Sequence, residues 1–374
     1  MKKPFFLANA LLLSLCAVGC SGPEVPDDAP QSVELESPSV AKRIGGRVAE
    51  ADVTVPWNDA HTPAQYAYLM GDYDKIDHLA LGNEYLSTPK GITLTFQHGE
   101  KTALELSKYS DFSESKVYEK TLSGEFQVYN LEIGTDYYYR PYKHSYPVYH
   151  FSTADLGPRN LKMDGVDNVR DLGGYVTTSG KRIKQGLYYR GGQWNTGKID
   201  RLEWCITDEG KSLVKELGIK TEIDLRMEGN EMSRTAEDAI EGVTPILIPI
   251  DYNNAGWYMD KRKDELLKVF EALTNLDNYP LYLHCRIGTD RTGISSFLLG
   301  ALLGMQEEDL YRDYMFSNFG KISGSRESTT ILRYINYLKN NFEADTLEQS
   351  AYLYLTDLGI AAEKLDALKA KFLA

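Results

Sequence analysis

Apolar and polar positions change their rhythm near residue 160. Between about residues 51 and 155 they alternate in short runs, as in Ile92-Thr93-Leu94-Thr95-Phe96, Phe126-Gln127-Val128-Tyr129-Asn130-Leu131 and Val148-Tyr149-His150-Phe151-Ser152-Thr153. A period of two with many Tyr and Thr predicts strands with one buried face, and so a small all-β sandwich. Beyond 160 short apolar runs alternate with helical spacing. Residues 208–217 read as a helix stopped by Gly218, 219–225 as a strand, 261–276 as a helix, 280–283 as a buried strand and 294–303 as a buried helix. Helical spacing continues over 308–316, 329–338 and 347–358. Strands alternating with helices predict an α/β domain over 160–374, with a mainly parallel central sheet flanked by helices.

The first twenty residues follow a different rule. Lys2 and Lys3 precede an apolar run from Pro4 to Val18, and small residues lead into Cys20. A positive start, a short apolar stretch and small residues before a Cys predict a lipoprotein signal over 1–19, with Cys20 lipidated after cleavage. The expected location is therefore a bacterial cell envelope, on its periplasmic or surface side, with the protein held to the membrane only by that lipid. Residues 20–50 are rich in Pro, Ser, Asp and Glu without apolar period, the composition of a flexible tether.

Charge narrows the partners. The formal net charge is −13, and loss of the two lysines with the signal makes it −15. An acidic exterior argues against nucleic acid as the main partner. Of four cysteines, Cys16 leaves with the signal and Cys20 takes lipid, so no disulfide framework is implied. Cys205 lies in the apolar patch Trp204-Cys205-Ile206 and reads as inert core, with reversible capping of Cys285 as the alternative. No His, Cys and Asp cluster has metal-ligand spacing, and no cofactor is expected.

The chemistry concentrates in His284-Cys285-Arg286-Ile287-Gly288-Thr289-Asp290-Arg291-Thr292-Gly293. The stretch lies between a predicted strand end and a predicted helix start, where unsatisfied NH donors and the helix dipole favour an anion. A Cys and an Arg six positions apart can close a loop over one phosphate, the guanidinium gripping two oxygens and the intervening backbone forming an anion nest. The same field lowers a thiol's pKa to about 3.5 to 7.5. Gly288 would allow the tight curve and Gly293 close packing of the helix.

This loop resembles the signature of the cysteine-dependent protein-tyrosine and dual-specificity phosphatases. Asn168-Val169-Arg170-Asp171-Leu172-Gly173-Gly174-Tyr175, Leu187-Tyr188-Tyr189-Arg190-Gly191-Gly192, Ile223-Asp224-Leu225-Arg226 and Asp313-Tyr314-Met315-Phe316-Ser317-Asn318 then occur in the order of the bacterial tyrosine phosphatase family typified by secreted mycobacterial and listerial enzymes. Asp290 just before Arg291 is similar to the myotubularin phosphoinositide phosphatases. Thr289 stands where the bacterial family usually carries Lys, and Arg286 could supply a cation from the other side of the loop. Leu131-Glu132-Ile133-Gly134-Thr135-Asp136-Tyr137 resembles a fibronectin type III corner closed by a Tyr, with Ile133 at the usual Pro.

The resemblance implies roles. Cys285 would attack phosphorus and Arg291 would hold its oxygens, within a cradle running from Arg286 through Ile287, Gly288, Thr289 and Asp290 to Arg291. Thr292 would assist the departing thiolate. His284 would shape the loop, while Asn168, Arg170 and Asp171 would pin a turn. A general acid must protonate the leaving oxygen; Asp290 is the first choice, Asp224 its rival and Asp251 the third. The implied substrate is a phosphotyrosine peptide or protein, with an inositol phosphate or phosphoinositide as the alternative.

Overall fold

The computed structural model describes residues 53–54, 61–68, 87–96, 102–194, 205–227, 240–251, 259–320 and 326–373. The expected signal, Cys20 and the tether lie outside the described residues. Residues Glu50–Ala374 form one compact unit. Among the described residues, no helix is long and apolar enough to cross a membrane.

The alternating segments form two sheets. β1 (Val53–Thr54), β7 (Tyr149–Ser152), β6 (Asp136–Pro141), β3 (Leu104–Ser107) and β4 (Lys116–Tyr118) neighbour one another in that order, while β2 (Ile92–Thr95) pairs with β5 (Glu125–Val128). β2 buries Ile92 and Leu94 and β5 buries Phe126 and Val128, so their inward faces share one apolar core with the larger sheet. Register sets Tyr137 opposite Phe151 and Tyr139 opposite Tyr149. Both pairs stack, with ring centroids 5.6 and 4.7 Å apart, and each such pair adds about 0.5–1.5 kcal/mol beyond its buried area. The Tyr137 hydroxyl accepts from the backbone NH of Glu132 at 2.8 Å, closing the corner that the sequence predicts.

One part of residues 51–155 belongs elsewhere. α1 (Pro63–Ala67) begins with a capping box, in which the Thr62 hydroxyl accepts from Gln65 NH and the Gln65 side chain accepts from Thr62 NH. It delivers Tyr68 into the core of the α/β domain, where the ring packs edge-on against Phe316 and Phe319 and its hydroxyl donates to the carbonyl of Arg312 at 3.1 Å. The stretch carries no period-two alternation; assigning all of 51–155 to one sandwich passes over it.

The α/β domain is built on a six-stranded sheet ordered β12 (Thr244–Leu247), β11 (Thr221–Asp224), β13 (Leu281–His284), β10 (Tyr188–Gly191), β9 (Arg170–Asp171) and β8 (Arg159–Asn160). The first four strands run parallel, as expected, while β9 and β8 add an antiparallel edge. Leu281 and Leu283 of β13 face a cluster built with α3 (Lys263–Thr274), α4 (Asp290–Leu302), α7 (Leu347–Asp357) and α8 (Ala362–Leu373). Tyr282 faces the other way, into a cluster with Leu213 and Val214 of α2 (Asp208–Glu216). A strand covered on both faces must be apolar on both sides, which is why β13 reads as a continuous run. All of α4 is buried, matching its lack of a polar face.

Register positions the site. Gly191 and Asp224 both lie level with His284, so the C-terminal ends of β10 and β11 flank the loop that follows β13. The sandwich is fixed to this domain by partly buried polar contacts. Arg159 donates to Asp171 at 3.0 Å and to the carbonyls of Asn130 and Leu131 at 2.8 and 3.1 Å. The Gln185 amide pairs with both backbone groups of Ile133, each at 2.9 Å.

Candidate active site

The loop between β13 and α4 turns its carbonyls outward. Cys285 O lies 2.9 Å from His284 Nδ1, Arg286 O accepts from Gln193 NH at 3.1 Å, Ile287 O from Asn168 Nδ2 at 3.0 Å and Gly288 O from Arg190 Nη2 at 2.9 Å. In a trans peptide the NH opposes the C=O, so four carbonyls held from outside leave the following NH groups for the inner side. Gly288 has φ +71°, and a Cβ there would lie 2.2 Å from the Gly191 carbonyl. At Gly293 a Cβ would meet the Tyr314 ring at 2.8 Å. Both glycines therefore do what the sequence predicts.

The donors outside the loop form one buried network. Arg170 donates to Asp313 Oδ1 at 2.9 Å, to Asn168 Oδ1 at 2.7 Å and to Ser317 Oγ at 3.0 Å. Arg190 pairs with the second oxygen of Asp313. Burial alone would raise the Asp313 carboxyl, but the two guanidiniums outweigh it and hold the group below its ordinary range. Arg170 thus reaches the loop through Asn168. Asp171 does so more remotely: it accepts from Arg159 and from the NH groups of Gly173 and Gly186, pinning the junction with the sandwich.

Cys285 is buried, with 2% of its surface exposed. Arg286 and Ile287 are half-buried and Thr289 is buried. Arg291 is buried, its Nη1 donating to the carbonyls of Leu225 and Ile250, both at 3.2 Å, so the ends of two neighbouring strands aim the guanidinium. The Thr292 hydroxyl is buried and has no hydrogen-bond partner among the described residues.

The three acidic candidates differ in setting. Both oxygens of Asp290 accept from Arg326, at 2.7 and 2.9 Å, and Tyr314 OH reaches Oδ1 at 3.4 Å. Asp224 is fully buried; Arg226 grips its two oxygens at 3.0 and 2.7 Å and adds its backbone NH. Burial would raise the Asp224 carboxyl, yet His284 and Arg226 together hold it well below the carboxylate range. Asp251 is half-buried and follows Ile250, whose carbonyl anchors Arg291.

The sequence reading passes over Glu222, Arg326 and Ser87. Glu222 Oε1 lies 2.8 Å from His284 Nε2. Glu222, Asp224 and His284 bring their ligand atoms within 4.8 Å of one another, a grouping across two strands that linear spacing cannot show. Their contacts with each other and with Arg226 account for the cluster. Ser87 donates to Asp167 and accepts from Asn168 NH. Period-two spacing on β11 was the available signal for Glu222, since it shares a face with Asp224.

Cys205 departs from expectation: it is exposed, whereas the inert-core reading required burial. Its neighbour Ile206 is buried and takes the apolar role of that patch. Cys205 and Cys285 are both free thiols.

Comparison with known proteins identifies the family. A protein of Cupriavidus necator named for tyrosine-protein phosphatase activity is 29% identical over 184 residues, covering 43% of this chain and 64% of its own length. The chain thus spans a little under two thirds of that relative. Among solved structures, the core catalytic domain of the PP-IP phosphatase Siw14 from S. cerevisiae shares 18% identity over 46% of this chain and 92% of its own, at a TM-score of 0.30. TpbA of P. aeruginosa shares 16% over 51% and 90%, at 0.28. The profile described as tyrosine phosphatase family matches residues 161–374, more than half of the chain and all of the loop. The chain belongs to the tyrosine phosphatase family.

Proposed function

We propose that this protein hydrolyses phosphomonoesters through a cysteinyl-phosphate on Cys285, with phosphotyrosine in peptides or proteins as the foremost substrate. The observation that carries the reading is the set of four loop carbonyls tied outward around Cys285. Cys285 thiolate attacks phosphorus, the P–O bond breaks, and the leaving oxygen takes a proton from an acid. Water then attacks phosphorus, the P–S bond breaks and the thiolate returns, while the acid recovers its proton from that water. The inward NH groups and Arg291 hold the equatorial oxygens throughout, and this electrostatic grip supplies most of the rate. Thr292 offers its unpartnered hydroxyl to the thiolate.

Asp290 remains the first choice for the acid because it adjoins Arg291 in the loop; it serves once a substrate or a proton separates it from Arg326. Asp224, gripped and held ionised, better fits a positioning role for His284 and Arg226. A second reading, an inositol phosphate or phosphoinositide, is favoured by Arg326, a second cation beside the cradle with 17% of its side chain exposed. Phosphate release by the full chain from phosphotyrosine peptides, phosphoserine peptides, inositol phosphates and phosphoinositides, with Cys285→Ser alongside, separates these. Oxyanion binding without release from any of them would identify a phosphate-binding module.

The site is further proposed to work outside the cytoplasm, tethered through lipidated Cys20, and the sandwich to be fibronectin type III-like. The basic, apolar and small-residue pattern before Cys20 supports the first, and the Tyr137 corner the second. Metabolic lipid labelling that persists in Cys20→Ala would remove the tether.

A further inference from the structure

Upstream of the family-matched region, Ser87 lies just before the first strand of the small sheet, yet 97% of its surface is buried against the α/β domain. Its hydroxyl donates to Asp167 Oδ1 at 2.5 Å and accepts from the backbone NH of Asn168 at 2.9 Å, while its carbonyl accepts from Asn160 Nδ2 at 3.0 Å. Asn168 sits at φ +60°, a left-handed conformation that needs such local hydrogen bonds to persist.

The two residues that Ser87 grips both reach the phosphate loop. Asn168 holds the Ile287 carbonyl at 3.0 Å and orients Arg170. The Asp167 carbonyl accepts from Gly192 NH at 2.9 Å, next to Gly191, whose backbone fits against Gly288. The second fixed point of the same upstream region, Tyr68, packs on Phe316 and Phe319, beside the Ser317 that accepts from Arg170. Both grips converge on the network that turns the loop carbonyls outward.

We propose that Ser87 is a positioning residue for the phosphate loop, so that the catalytic unit of this chain draws on a segment between β1 and β2 and does not begin at residue 161. The proposal rests on the phosphatase reading of that loop and deepens it. Removing the hydroxyl leaves the buried Asp167 carboxylate without one donor and the Asn168 NH with only Asp167 Oδ1, at 2.8 Å, so the turn that fixes Ile287 loses one of its two ties. The loop loosens, so oxyanion affinity falls together with turnover.

The test compares wild type, Ser87→Ala and Ser87→Cys in the full chain, reading tungstate affinity by calorimetry, p-nitrophenyl phosphate turnover and the melting temperature. Ser87→Ala is expected to weaken tungstate and lower kcat each by about tenfold, because loop misplacement acts on both. Ser87→Cys, close in shape with a weaker donor, should fall between. A folded Ser87→Ala within twofold of wild type in both readings overturns the proposal; should that variant not fold, wild-type values in Ser87→Cys overturn it equally. Wild-type protein that binds tungstate but releases no phosphate refutes the phosphatase reading while leaving the positioning claim readable. A wild type that does neither removes both.

Discussion

Single residues divide cleanly into those legible in the chain and those that are not. The loop from His284 to Gly293 is contiguous, so its cysteine, arginine and glycines could be assigned from spacing, and Gly288 meets its predicted demand with φ +71°. Gly288→Ala should abolish turnover, since a Cβ 2.2 Å from a backbone carbon has nowhere to move; retained activity measured with p-nitrophenyl phosphate would contradict the loop geometry. Asp224 was harder to place. It ends a strand at the crevice, as an acid would, but in extended chain Arg226 shares its face, and that i, i+2 pair makes it an ion-pair partner. Asp224→Asn should destabilise the fold, measured as a lower urea midpoint, because the buried Arg226 loses the charge of the carboxylate that grips it at both oxygens. Asp290→Asn should instead lower kcat about 10²–10⁴-fold for esters with poor leaving groups and little for good ones, as loss of a general acid does. Uniform loss across a leaving-group series would reassign the acid, with Asp251 next in line.

Elements were legible wherever hydrophobic rhythm is intrinsic to the segment. The buried strand and the all-apolar helix that bracket the loop appear as β13 and α4, and the stop at Gly218 coincides with φ +65° after α2. What was missed depends on long-range partners: α1 has five residues and no periodic signal, and its placement is set by Tyr68 finding two phenylalanines 248 and 251 positions away. The buried supports also predict how the fold answers to acid. Asp313 and Asp224 are both held below their ordinary range when folded, against about 3.9 in the unfolded chain. The unfolded state therefore binds more protons. The stability they contribute is complete above about pH 5 and is lost as pH falls through and below about 4. Urea midpoints should drop steeply below pH 4, with a shallower slope in Asp313→Asn; a flat profile down to about pH 2.5 would contradict the ion pairs.

At the scale of the molecule, the sequence shows two rhythms and a boundary near 160, and the structure joins them. Arg159, Asn130, Gln185 and Ile133 tie the sandwich to the sheet through partly buried backbone and side-chain contacts. The exposed Lys116–Glu216 pair adds little, as surface ion pairs do. Such an interface was not legible because its donors bind backbone carbonyls, which any sequence provides. It joins the sandwich and the catalytic loop in one compact unit. Arg159→Ala should accordingly lower the melting temperature of sandwich and α/β domain together; a sandwich that melts alone in differential scanning calorimetry would contradict the coupling.

The central claim is that the outward-turned carbonyls around Cys285 make a hydrolytic cradle for a phosphomonoester. Phosphate release from a phosphotyrosine peptide by the full chain under reducing conditions tests it most directly, with Cys285→Ser as the control. Turnover is expected in wild type and none in the variant, with tungstate still bound by both. Equal release by wild type and Cys285→Ser, or no release by folded wild type from any phosphomonoester, would contradict it.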